Sequence, residues 1–75
     1  MVDKAEIALK EMGFRQVRVR HHGDVARIEI AEDELARALN PGMAARMSAA
    51  LKALGFKYVA LDLEGYRTGS LNEVL

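Results

Sequence analysis

The chain has 75 residues, with 11 basic and 11 acidic side chains, so its formal net charge is zero. That balance argues against bulk electrostatic attraction to nucleic acid or membrane, though a local basic patch remains open. With no cysteine, disulfides, thiolate metal ligands, iron–sulfur ligation and a cysteine nucleophile are excluded from this chain. Residues 1–75 are enough for one small domain with a thin core. No apolar run could span a bilayer and no signal peptide is visible, which makes the cytoplasm the default expectation.

A first helix is expected over residues 3–12, with Asp3 as its cap and Val2 stapled to Ile7. Ala5, Ala8, Leu9 and Met12 fall at helical spacing and should face a sheet. Gly13 then ends the helix, and Phe14 folds back toward Leu9.

Strands over residues 15–21 and 24–30 follow as a hairpin, with His22-Gly23 as its turn. That turn would put His21 opposite Asp24, Val19 opposite Ala26, Val17 opposite Ile28, Arg18 opposite Arg27 and Gln16 opposite Glu29. Val17, Val19, Ala26, Ile28 and Ile30 then share one face, and Arg18, Arg20, Arg27 and Glu29 share the other. A slip of one residue would drive the arginines into the core, so the faces are strongly specified.

A short helix over residues 32–39 should turn Leu35 and Leu39 inward. Asn40-Pro41 is a cap followed by a first-turn proline, and it opens a helix over residues 41–54. Met43, Met47, Ala50, Leu51 and Leu54 form its apolar stripe. Gly55-Phe56 repeats the earlier stop signal, and residues 8–19 and 50–61 share six of twelve positions. A last strand over residues 57–63 should place Val59, Leu61 and Leu63 on the core side. The order α-β-β-α-α-β predicts a small two-layer α+β sandwich. Its three-stranded sheet carries helices on one face, like a ferredoxin-like fold lacking its first strand.

The best candidate site is the arginine face. Directly opposed guanidinium groups repel unless an anion or carboxylate lies between them, and their planar forks suit phosphate and carboxylate. A solvated face partly neutralised by Glu29 is the plainer reading. His21 and His22 point to opposite faces and have no further His or Cys to help them, which argues against a metal site. The segment 65–73, with two glycines, hydroxyls and Arg67, could form an anion nest or a frayed end. No nucleophile, base and orienter can be assembled.

Two stretches, residues 13–29 and 54–73, carry the motifs VRVRHHGD-x-ARIE and LDLEGYR-x-GS-x-NE. They resemble the C-terminal domain of the LarE-type PP-loop family, ATP-dependent sacrificial sulfur transferases that make a nickel-pincer nucleotide cofactor. The resemblance implies a domain that follows an N-terminal PP-loop ATP pyrophosphatase domain, in the same or a separate chain. In such proteins ATP and magnesium belong to the full-length enzyme, and this part joins oligomer contacts. On matching positions the resemblance points to Arg18, Arg20 and Glu29, and more weakly to Glu6, Arg67 and Ser70. Arg18, Arg20, Arg27, Glu29, Arg67 and Ser70 are therefore the expected phosphate or substrate contacts. The isolated chain, lacking the pyrophosphatase loop and cysteine, is expected to be inactive. A stand-alone anion-binding or protein-interaction module is the alternative.

Overall fold

The computed structural model describes residues 2–66, so Arg67 and Ser70 lie outside the described residues. Helix α1 (Val2–Glu11) leads into a hairpin of β1 (Val17–His22) and β2 (Val25–Ile30). A 3-10 turn (Glu32–Glu34) runs directly into α2 (Leu35–Ala38), followed by α3 (Pro41–Ala53) and β3 (Tyr58–Leu61). The sheet order is β1-β2-β3, with β1 antiparallel and β3 parallel to β2. The parallel pairing follows from the helical crossover between β2 and β3, which brings the chain back in the same direction. The α+β sandwich is as expected, and its sheet is mixed.

One face of the sheet makes the core. Val17, Val19, Ala26, Ile28 and Ile30 are buried together with Ala5, Leu9, Phe14, Ala38, Met47, Leu51 and Phe56. Both helix stops form at glycines in the left-handed region, Gly13 at φ 102° and Gly55 at φ 111°. At the second, Gly55 N–H donates to Lys52 O (3.0 Å) and Phe56 N–H to Leu51 O (3.4 Å), the paired bonds of a Schellman ending. Asn40 caps α3 as expected, its Oδ1 accepting from Gly42 N–H (3.0 Å) and Met43 N–H (3.3 Å).

Several expectations are corrected. The hairpin turn is Gly23-Asp24, not His22-Gly23, so His22 pairs with Val25. Every β1 residue therefore meets a partner two positions further along β2 than expected: Val17 faces Ile30, Arg18 faces Glu29 and Arg20 faces Arg27. The shift is even, so both faces keep their membership. Residues 15–16 lie before β1 rather than in it. Asp3 lies inside α1's first turn rather than at its cap, and Ile7 is exposed, so neither the cap nor the staple forms. Leu39 is exposed and Ala38 takes the buried place, because the 3-10 turn rotates α2 relative to a continuous helix. Leu63 is 73% exposed, since β3 ends at Leu61 and the chain turns away.

Two carboxylates support the first strand and its approach. Glu6 on α1 accepts Val19 N–H at 2.9 Å, occupying a donor on the outer side of β1. The buried Glu34 accepts Arg15 N–H through both carboxylate oxygens (3.0 and 3.3 Å) and ties the start of β1 to the 3-10 turn. Gly55→Ala should cost about 1 kcal/mol, because a Cβ in the left-handed region is strained. Thermal unfolding should show a loss of about 4–8 °C. An unchanged melting temperature would remove Gly55 from the cap.

Candidate functional site

The face of the sheet that no described helix covers brings four of the six expected site residues together. Arg18 and Arg20 come from β1, and Arg27 and Glu29 from β2. Arg20 and Arg27 are the directly opposed like charges. The group that separates them is Glu29, whose side chain is only 12% exposed despite standing on the open face. Its Oε1 lies 3.4 Å from Arg20 Nε, and its Oε2 accepts from Arg27 Nη2 at 3.0 Å. One carboxylate thus serves two guanidinium groups. Asp62 adds a second negative charge 3.9 Å from Arg27 Nε, too far for a hydrogen bond, and that nitrogen is buried without an acceptor.

Arg18 is different. Glu29 sits opposite it in register, but both carboxylate oxygens are engaged by Arg20 and Arg27. Among the described residues Arg18 makes no ion pair. Its neighbour is Tyr66, whose hydroxyl accepts from Arg18 Nη2 at 3.4 Å and whose ring centroid lies 5.2 Å from the guanidinium carbon. A hollow of about 170 Å³, lined by Lys10, Arg15, Gln16, Val17 and Tyr66, adjoins that tyrosine. Arg15 is held by Asp33 at 2.6 Å, and this hydrogen bond raises the guanidinium above its ordinary pKa. A second cleft of about 170 Å³, lined by Ile28, Ala38, Met47, Val59 and Leu61, lies on the helix side and is apolar.

His21 lies off this face, whereas His22 shares the strand parity of Arg18 and Arg20 at the turn end. His21 Nε2–H donates to Gly23 O at 2.6 Å, and its ring meets Phe56 edge-on at 5.4 Å. Among the described residues no group of three or more His, Cys, Asp or Glu side chains could hold a metal ion. No described helix is long and apolar enough to cross a membrane.

No family profile matches the chain. Pairwise similarity is more informative. The chain is 45% identical over 71 residues to the pyridinium-3,5-bisthiocarboxylic acid mononucleotide synthase of Lactiplantibacillus plantarum, covering 95% of this chain and 25% of the synthase. This chain is a homologue of the C-terminal quarter of that synthase. It is also 40% identical over 74 residues to an uncharacterized protein of Synechocystis, again covering 99% of this chain and 28% of that protein. The chain thus spans about a quarter of the length of each relative. The LarE-type family signalled by the two sequence motifs is the family of the synthase.

Strand parity located the four residues of the face. It missed Tyr66, which lies beyond β3 in the second motif and reaches Arg18 only through the fold. It also missed Asp62 as a partner of Arg27. Glu29→Gln, which keeps the shape and removes the charge, should destabilise the chain by about 1 kcal/mol. The figure is modest because the two arginine side chains are 33% and 41% exposed. Denaturant unfolding should show the loss, and it should shrink at high salt as the remaining repulsion is screened. Equal stability of variant and parent would mean that Glu29 does not hold the two arginines together.

Proposed function

We propose that this chain acts as the C-terminal accessory domain of an ATP-dependent sulfur transferase of the PP-loop superfamily. It supplies phosphate or substrate contacts and oligomer contacts, and it does not catalyse alone. The homology to the synthase supports the family context. The observation that carries the site is Arg18, the arginine of the face that has no carboxylate partner among the described residues. A guanidinium in that state binds phosphate or carboxylate through charge-assisted hydrogen bonds. Arg20, Arg27 and Glu29 form the neutralised platform beside it, and Arg67 and Ser70 follow Tyr66 in the chain.

The proposed partner is an N-terminal PP-loop catalytic domain, in the same or a separate chain. ATP activation belongs to that domain, and no magnesium contact is assigned to the residues described above. The sulfur donor also lies elsewhere, because this chain has no cysteine. Net neutrality fits a role in a composite site better than non-specific nucleic-acid binding.

Phosphate titration followed by backbone amide shifts tests the site. Saturable shifts at residues 17–20 and 26–29, lost in Arg18→Ala, are expected. An unresponsive face would leave a protein-docking module as the better reading. The purified chain should also show no ATP turnover above buffer. Turnover that disappears in Arg18→Ala would overturn the accessory role.

A further inference from the structure

The Arg18–Tyr66 pair is built by more than proximity. Tyr66 stands in an isolated parallel bridge with Ala31, just past the end of β2. Its N–H donates to Ile30 O at 2.7 Å. The preceding Gly65 has φ +81°, and a Cβ there would lie 2.5 Å from Ile30 O, so only glycine lets the chain approach this closely. A turn closed by Gly65 N–H to Asp62 O (3.1 Å) leads into that approach. The backbone of Tyr66 is therefore clamped to the end of β2, and its side chain reaches over to β1.

We propose that Tyr66 is a positioning residue for the anion site at Arg18. This rests on the anion-binding reading given above and adds to it a residue with its own role. The guanidinium carbon lies over the ring, 5.2 Å from its centroid, and the hydroxyl accepts from Nη2 at 3.4 Å. Arginine side chains carry large rotamer entropy, and a fork held before binding loses less of it on meeting a ligand. Nε–H and the Nη1 donors have no acceptor among the described residues, and they are the edges a ligand can use. Those edges lie in the guanidinium plane and suit the oxygens of a phosphate or a carboxylate. Pairing with Tyr66 also leaves the positive charge of Arg18 intact, whereas Arg20 and Arg27 share theirs with Glu29.

Three chains are compared by inorganic phosphate titration: the parent, Tyr66→Phe and Tyr66→Leu. The readouts are the backbone amides of residues 17–20 and the Arg18 Nε–H resonance with its 15N relaxation. Tyr66→Phe keeps the ring and should bind phosphate within about twofold of the parent. Tyr66→Leu should weaken binding about two- to fivefold, the range expected for an exposed cation–π contact. It should also abolish the ring-current shift of Arg18 Nε–H and raise its mobility before phosphate is added. Unchanged amide shifts at Ile30 and Ala31 would show that the clamp itself survives. If the parent responds and Tyr66→Leu responds equally, with the same Arg18 mobility, the role of Tyr66 is overturned while the anion site stands. A parent silent to phosphate overturns the anion site itself, and the positioning role with it.

Discussion

Alternation along β1 and β2 is the constraint on which the rest depends. Side chains two residues apart share a face, so burying Val17, Val19, Ala26, Ile28 and Ile30 forces Arg18, Arg20, Arg27 and Glu29 to the other side. Each buried Val or Ile side chain contributes about 1.5–3 kcal/mol, and a slip by one residue would exchange several of them for unpaired guanidinium groups. The helices then have one face to cover, and they cover it with Ala5, Leu9, Ala38, Met47 and Leu51. The chemistry is left on the other face because the core takes the first.

A face of three arginines and one glutamate would be under strain if every residue counted equally. Geometry divides it instead. Glu29 reaches two guanidinium groups with its two oxygens, so one carboxylate offsets the repulsion between them. Arg18 is left out of the division and finds an aromatic partner, which contacts the cation without neutralising it. A chain of zero net charge thus concentrates a local positive potential at one point.

Small polar contacts hold the platform in place. Glu34 and Glu6 each use a carboxylate on a backbone N–H of the first strand region, Arg15 and Val19 respectively. These bonds satisfy donors that no described strand takes. Arg37 closes the first helix stop by donating to Met12 O at 3.1 Å while its guanidinium lies 4.3 Å from the centre of the Phe14 ring. Carboxylates and guanidinium groups that look surface-like by composition are, in these places, parts of the frame.

Local rules were enough for much of this protein. Period-two alternation determined the two faces, the Asn40-Pro41 pair determined the start of α3, and Gly13 and Gly55 determined two helix ends. All of these depend on residues close together in the chain. The pairing within the arginine face was not legible in that way. Whether the turn uses His22-Gly23 or Gly23-Asp24 changes every cross-strand partner while leaving the alternation intact, so the apolar pattern cannot distinguish them. The tertiary structure made that choice, and with it made Arg20 rather than Arg18 the arginine opposed to Arg27. It also turned Leu39 and Leu63 outward, because a 3-10 turn and an early strand end break the periodicities that would have buried them. Tyr66 meets Arg18 across 48 positions of sequence. Contacts of that kind depend on where the whole chain returns, and only the packed fold decides them.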